Sequence, residues 1–307
     1  MTLRLEDDWV WDSWPFDDDQ GLHHLFFLKA PRSLGDPELR HVNARVGHAV
    51  SSDYRTWEIL PDVLGPAVGP AWDDGAIWTG SVVRGPSGTF HFFYTACSRA
   101  ENYLVQRIGR ADSPDLISWT RASDQPLLEV DPRWYEIHDG KNWHDQAWRD
   151  PWVFADPEGH GWHMLITARS NSGAQFSRGV VGHAWSPDLD RWEVRPPLSE
   201  PGGFGQLEVM QLVPPGVIDA APRLLFACGI SELDADKHPA GQPGGMWLAT
   251  GRGVLGPWDI ANARRIDHPT IYAAHIVTDV DGSPAALGFD SGTGDDFGGI
   301  ILDLVPL

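Results

Sequence analysis

Three carboxylates in this chain stand in settings that suit chemistry better than solubility. Asp12 lies in WVWDSWP, Asp150 in WRDPWVF and Glu208 in GQLEVMQLV, each beside aromatic or strand-forming residues. Burial against such neighbours raises a carboxyl pKa, while nearby hydrogen-bond donors keep a carboxylate ionised. Cleavage of a glycosidic bond needs two carboxyl groups in opposite states, one to attack and one to protonate the leaving oxygen. Asp12, between Trp11 and Trp14, and Glu208, in an apolar run, are candidates for this division of roles. Arg149 directly precedes Asp150 and offers planar, bidentate donors to hydroxyls or a carboxylate, while Asp150 can accept two sugar hydroxyls. Any one of the three acids alone reads as a turn or surface residue. The expectation rests on the trio.

Residues separated by 138 and 58 positions meet only if the fold returns recurring positions to one axis. The chain carries such a recurrence. Residues 47–58 read GHAVSSDYRTWE, 109–120 GRADSPDLISWT and 182–193 GHAWSPDLDRWE, with a weaker echo, LATGRGVLGPW, at 248–258. The marker tryptophans Trp57, Trp119, Trp192 and Trp258 are spaced by 62, 73 and 66 residues. Each unit is an apolar strand, a Ser-Pro-Asp type turn, then a Trp opening another short strand. A period of that size, holding about four strands, is the sequence mark of a β-propeller blade. Other strand-like runs, HHLFFLKA, TFHFFYTA, WHMLITAR and RLLFACGI among them, are separated by Gly, Pro or Asp clusters. No stretch sustains a helical period.

Four units plus a terminal segment (272–305) predict an all-β fold, a five-bladed β-propeller occupying residues 1–307 as a single domain. The runs AAHIVTDVDGSPAALGFD and GIILDLVPL are expected to close the ring with an N-terminal strand. An open β-sandwich is the alternative, and it gives no reason for the repeat. Side chains of inner strands point alternately into the funnel of a propeller. Asp12, Asp150 and Glu208 then fall in blades one, three and four, facing a common axis.

Composition narrows the partners. With 43 acidic against 23 basic residues the net charge is −20, which repels phosphate backbones and anionic lipids. No nucleic-acid or membrane partner is expected, whereas a neutral polyol suits such a surface. The 33 Gly and 25 Pro, without a collagen-like period, predict many turns between short strands. Sixteen Trp against four Met favour a residue that serves both between blades and under sugar rings. Cys97 and Cys228, each in an apolar run, read as buried free thiols. There is no Gly-rich phosphate loop, no HExxH and no basic-aromatic stripe, so neither a cofactor nor a metal is expected. MTLRLEDDWV lacks a basic n-region followed by an apolar h-region, which predicts no signal peptide and a cytoplasmic location. No apolar run approaches a membrane span. The clusters Asp17–Asp18–Asp19, Asp73–Asp74 and Asp295–Asp296 lack the alternating spacing of a calcium loop and read as solvated turns.

At these residues the sequence resembles the five-bladed propeller enzymes of glycoside hydrolase families 32 and 68, the invertase and levansucrase clan. VWDSWP around Asp12 is similar to the nucleophile motif of the levansucrase-type family, more so than to the Asn-Asp-Pro-Asn form of the invertases. Trp78 and Thr79 in IWTGSVV resemble a Trp-Ser-Gly segment, with Thr79 replacing Ser. Arg149 and Asp150 in WRDP resemble the Arg-Asp-Pro motif, whose Asp stabilises the transition state through sugar hydroxyls. Glu208 in QLEV falls where the acid/base glutamate is expected, with Gln206 in place of a second family acid and Val209 in place of the following Arg. The motifs cover roughly residues 8–215, and the blade count extends the likeness to the end. The C-terminal β-sandwich of the invertase family is expected to be absent.

The resemblance implies a retaining glycoside hydrolase of β-fructofuranosides, sucrose or short fructans, with fructosyl transfer as a second outcome. Asp12 then attacks the anomeric carbon and Glu208 protonates the leaving oxygen, across a carboxylate gap of about 5–5.5 Å. It also marks Trp11 and Trp78 as the floor of the sugar pocket. His144, with Asp145 just before the RDP motif, and His275 in AAHIV are further candidates to meet a small sugar or oligosaccharide, beside Thr79, Arg149 and Gln206. A packing Trp, a loop-ordering His144 and a core His275 are the plain readings of the same residues. Some relatives carry structural calcium, which leaves the acidic clusters open. Two other functions compete. One is an inverting arabinofuranosidase or xylosidase built on the same three carboxylates; the other is a carbohydrate-binding propeller without catalysis. Nothing in the sequence specifies an oligomeric state.

Overall fold

The computed structural model describes residues 2–292 and 296–307. Its strands form five antiparallel sheets in chain order. Blade 1 is β1 (Asp8–Asp17), β2 (His23–Pro31), β3 (Arg45–Ser51) and β4 (Glu58–Leu64). Blade 2 is β5 (Ala76–Arg84), β6 (Phe90–Cys97), β7 (Arg107–Ser113) and β8 (Thr120–Arg121). Blade 3 is β9 (Trp148–Ala155), β10 (Trp162–Arg169), β11 (Gly179–Ser186) and β12 (Glu193–Arg195). Blade 4 is β13 (Glu208–Val213), β14 (Arg223–Cys228), β15 (Gly245–Gly251) and β16 (Trp258–Arg265). Blade 5 has three strands, β17 (Ile271–Thr278), β18 (Pro284–Asp290) and β19 (Val305–Pro306). Helix is confined to short 3-10 turns among the described residues. The five-bladed propeller expected from the repeat is the fold observed.

The repeat itself is the corner between the third and fourth strands of a blade. In blades 1 to 3, Asp53, Asp115 and Asp188 each accept two successive backbone amides, those of Arg55 and Thr56, Ile117 and Ser118, and Asp190 and Arg191. The residue after each Asp, namely Tyr54, Leu116 or Leu189, takes a positive φ of 56°, 65° or 69°. An Asx-type turn of this kind explains why Asp recurs four residues before the marker Trp. Trp119 and Trp192 then tie the corner with an indole N–H donated 2.9 Å to the carbonyls of Leu116 and Leu189.

Between blades the apolar faces meet. Trp14 of β1 stacks on Phe92 of β6 at 5.4 Å, and Trp119 stands edge-on to Phe92 and to Phe26 at 5.9 Å each. Trp192 meets Phe93 edge-on at 5.4 Å across blades 2 and 3. Cys97 and Cys228 are buried and unpaired, and burial pushes the Cys97 thiol up to about 12. The ring closes as expected from the C-terminal runs. Leu3 pairs antiparallel with Ile301, and Val10 N donates to Gly299 O at 3.2 Å. Asp17, Asp18, Asp73 and Asp74 are engaged by Tyr54, by the Leu22 amide, by Arg121 and by the Arg99 amide respectively. Asp295 lies outside the described residues.

Candidate active site

Each of the five inner strands carries a one-residue bulge at the same height. Register slips between Trp11 and Ser13 in β1, between Trp78 and Gly80 in β5, and opposite Leu165–Thr167 in β9. It slips again between Glu208 and Gln211 in β13 and between Tyr272 and His275 in β17. A bulge bends its strand and re-aims the side chains around it. The residues just before the five bulges are Trp11, Trp78, Arg149, Glu208 and Tyr272, and all five line one cavity of about 710 Å³. The next residues, Asp12, Thr79, Asp150 and Val209, line it too. Asp12, Asp150, Val209 and Ala273 hold positive φ values of 25°, 56°, 47° and 43°. Such backbone is costly for a side-chain-bearing residue, most of all a β-branched one, and it clusters where function requires it. In β13 the reason is visible: the bulge turns the Val209 amide onto Asp150 Oδ2 at 3.2 Å.

The three carboxylates are held differently. Thr79 Oγ1 donates 2.9 Å to Asp12 Oδ2, and Oδ1 carries no hydrogen bond among the described residues. Burial pushes the Asp12 carboxyl up to about 7, the charge of Asp150 adds to this, and the Thr79 hydrogen bond opposes it. Asp150 gathers its partners on Oδ2, with the Thr167 hydroxyl at 2.9 Å, the Val209 amide, and Arg149 Nε at 3.5 Å. Burial raises the Asp150 pKa and Arg149 pulls against it. Glu208 is gripped at both oxygens, by Arg149 Nη2 at 2.7 Å on Oε1 and by the Tyr272 hydroxyl at 2.6 Å on Oε2. Burial, then the Glu208 charge, keeps Tyr272 protonated far above the ordinary tyrosine range. Tyr272 is therefore the donor in that bond.

Three segments outside the strands complete the wall. The 3-10 turn Pro37–Asn43 brings in Glu38, Arg40 and His41, started by Asp36, which accepts the Glu38 amide at 2.9 Å. His41 stands edge-on to Trp11 at 6.4 Å, and its carbonyl accepts the Trp78 indole N–H at 2.8 Å. Burial lowers the His41 pKa to about 4. His144 and Asp145 come from the loop before β9, and Ser231 and Glu232 from the 3-10 turn Ile230–Glu232 after β14.

Of the residues singled out in the sequence, Trp11, Asp12, Trp78, Thr79, His144, Arg149, Asp150 and Glu208 all meet at this cavity. His144 sits at the rim, with its side chain 61% exposed. Gln206 does not reach the lining: it is fully buried behind Arg149, accepts from Arg149 Nη2, and donates to Glu232 Oε1 at 3.4 Å. His275 also falls outside. It lies beyond the bulge of β17, where the side chain turns into the core and stacks on Trp152 at 5.1 Å. The plain reading, a core histidine, is the observed one. Tyr272, Glu232, Arg40 and His41 were not foreseen. Tyr272 had a signal, since it occupies in blade 5 the place of Trp11, Trp78, Arg149 and Glu208, so aligning the inner strands would have found it. Glu232 and His41 lie on connecting turns outside the repeat.

A five-bladed propeller with three carboxylates, an arginine and two tryptophans converging on an axial cavity defines the class of propeller glycosidases. Residues 6–295 match the model of the glycosyl hydrolases family 32 N-terminal domain, and the chain belongs to that family. It is 24% identical over 334 residues to an extracellular sucrase of Zymomonas mobilis, covering 90% of this chain and 76% of that one. It is 23% identical over 300 residues to a levansucrase of the same organism, covering 83% and 67%. Among solved structures, an inulosucrase from Halalkalicoccus jeotgali bound to kestose superposes with a TM-score of 0.77 at 21% identity, over 97% of this chain and 84% of that one. A family 32 model and a levansucrase relative together span both branches of the clan, so the comparisons place the chain nearer to neither.

Proposed function

We propose that the chain hydrolyses β-fructofuranosides, sucrose or short fructans, with retention of configuration, and that the five blades act as one catalytic unit. The observation that carries this reading is the meeting of Asp12, Asp150 and Glu208 in a single cavity. Asp12 lines the cavity, and its Oδ1, which takes no hydrogen bond among the described residues, forms the new bond to the anomeric carbon. The glycosidic C–O bond breaks, its electron pair goes to the leaving oxygen, and Glu208 delivers the proton to it. Water, or a hydroxyl of a second sugar, then attacks the same carbon. It gives its proton to Glu208 and releases the Asp12 carboxylate, so that two inversions amount to retention. Asp150 binds two fructosyl hydroxyls, with Oδ2 pinned by protein donors and Oδ1 left to accept. Trp11 and Trp78 give the sugar its apolar floor. Family membership and the sucrase and levansucrase relatives favour fructosides over the arabinofuranosides or xylosides of an inverting propeller enzyme.

Sucrose, a short fructan and nitrophenyl arabinofuranoside, assayed side by side with product analysis, test the reading. Fructose or fructo-oligosaccharides are expected from the first two, with Glu208→Gln slowed roughly 10²–10⁴-fold. Release of arabinose without fructose would sink it, and equal negligible rates for wild type and Glu208→Gln would leave a binding protein.

A further inference from the structure

The five inner strands carry a second layer of side chains past the bulges. Three residues on from Trp11, Trp78, Arg149, Glu208 and Tyr272 stand Trp14, Ser81, Trp152, Gln211 and His275. Each of them reaches into another blade. Trp14 stacks on Phe92 of blade 2, and Trp152 stacks on His275 across blades 3 and 5. Ser81 and Gln211 use hydrogen bonds instead, and each both donates to and accepts from the backbone of the next inner strand. Ser81 Oγ donates to the Pro151 carbonyl at 2.7 Å and accepts the Val153 amide at 3.0 Å. Gln211 Oε1 accepts the Ile276 amide at 2.6 Å, and its Nε2 donates to the Ile276 carbonyl at 3.0 Å.

The Gln211 pair stands in for a missing strand. As the first strands of their sheets, β13 and β17 are each paired on one side only. Backbone groups on the unpaired side need partners from elsewhere, and Gln211 satisfies both groups of Ile276. Gln211 and Ile276 are buried, so loss of the amide would strand two backbone groups away from water.

What this clamp fixes lies on the other side of the bulges. The β13–β14 ladder slips between Glu208 and Gln211, and the β17–β18 ladder slips between Tyr272 and His275. Glu208 and Tyr272 are thus separated by a register slip from the part of each strand where the clamp sits. Among the described residues, direct hydrogen bonds join β13 to β17 at two heights. One is the Tyr272 hydroxyl on Glu208 Oε2 at 2.6 Å, and the other is the double bond of Gln211 to Ile276.

Resting on the fructoside reading above, we propose that Gln211 is a positioning residue for the acid/base step. By locking β17 against β13 it holds the Tyr272 hydroxyl on Glu208 and keeps the Glu208 carboxyl aimed at the leaving oxygen. Gln211 is not part of the cavity lining and acts through those two residues.

The test is kcat/KM on sucrose and on a nitrophenyl fructofuranoside, measured well below each protein's melting transition. Sucrose releases a poor leaving group that needs the Glu208 proton, whereas nitrophenolate departs with little help, so their ratio reports proton delivery. The proteins are wild type, Gln211→Met, Tyr272→Phe, the combination of the two, and Leu224→Ala. The last removes a buried side chain of β14 and leaves both Gln211 bonds in place. Gln211→Met is expected to lower kcat/KM on sucrose about tenfold, mainly through kcat, and to leave the nitrophenyl substrate within about twofold. Because Gln211 acts through the Tyr272 hydroxyl, the combined variant should lose no more than about twofold beyond Tyr272→Phe. Leu224→Ala should lower Tm and keep the wild-type ratio. Gln211→Asn, which keeps the amide and shortens its reach, carries the same expectations should the methionine variant not fold. A wild-type ratio in the Gln211 variant overturns the proposal, and so do losses that multiply in full in the combination or a ratio that falls as far in Leu224→Ala. A wild type inert on both substrates overturns the fructoside reading and the proposal with it.

Discussion

At the scale of single residues the site turns on one conflict, that the attacking group must be ionised in a place that disfavours its charge. Burial and the neighbouring Asp150 push Asp12 up to about 7, and the Thr79 hydroxyl is the donor that holds it down. If Asp12 attacks as a carboxylate, the acid limb of the kcat/KM profile follows its ionisation and lies well above the ordinary aspartate range. Thr79→Val should move that limb to still higher pH, whereas Thr79→Ser, which keeps the hydroxyl, should leave it in place. An unmoved limb in the valine variant would separate Asp12 from the limb. The same conflict has a stability side. The folded-state pKa is raised, so the fold favours the protonated form and stability from this group is lost as pH rises between about 4 and 7. Asp12→Asn should therefore abolish activity and yet raise Tm by roughly 2–5 °C at pH 7, with little change at pH 4. Melting curves at the two pH values check it. Asp12, Asp150 and Arg149 were legible in the sequence because each sits in a short motif. Tyr272 shows only when the five inner strands are aligned with one another, and Glu232 not at all, because its partner Gln206 lies far away along the chain and no local pattern marks the pairing.

At the scale of elements the repeat was legible and its purpose was not. The Asp-to-Trp corner shows in the letters because an Asx-type turn and an indole hydrogen bond each demand a particular side chain. The inner-strand bulges do not show, because they occur at Asp12, Thr79, Asp150, Val209 and Ala273, which are four different residue types with no common pattern around them. They share only a position, which the backbone needs and no single residue type spells. A second recurrent device lies on the middle strands. His24 and His48 join β2 to β3 at 2.9 Å between ring nitrogens, and His163 and His183 join β10 to β11 at 3.0 Å. Burial, followed by the neighbouring imidazole, lowers His48 and His183 to about 3 each. Both are neutral in the fold and titrate near 6.5 when unfolded. Their depressed pKa values make the stabilisation complete above about 6.5, and it is lost as pH falls toward 3. The expected outcome is a Tm that declines through this window. In a His48→Gln, His183→Gln double variant the decline should be shallower; a wild-type slope in the variant would assign the acid lability to other groups.

At the scale of the whole molecule, five blades in a ring must position residues from blades one to five to within hydrogen-bond tolerance, and a ring does this only when it is closed. Closure joins the two ends of the described chain. Leu3 and Ile301 exchange backbone hydrogen bonds at 3.1 and 3.0 Å, both side chains are buried, and Arg32 Nη2 holds Gly299 O at 3.1 Å. The seam pairs with β1 through Val10 and with β18 through Phe289; β18 in turn pairs with β17, and the bulges of β1 and β17 carry Asp12 and Tyr272. Truncation of a fully buried aliphatic side chain costs about 2–5 kcal/mol. Ile301→Ala and Leu3→Ala are each expected in that range, and because they share one contact their combination should cost less than the sum, by about 0.5–3 kcal/mol. If the seam supports the site, activity on sucrose in the double variant should fall at temperatures well below its melting transition, since local opening there releases Asp12 and Tyr272 before the other blades unfold. Activity that follows the global melt alone would mean that blades 1 and 5 hold their inner strands without the seam.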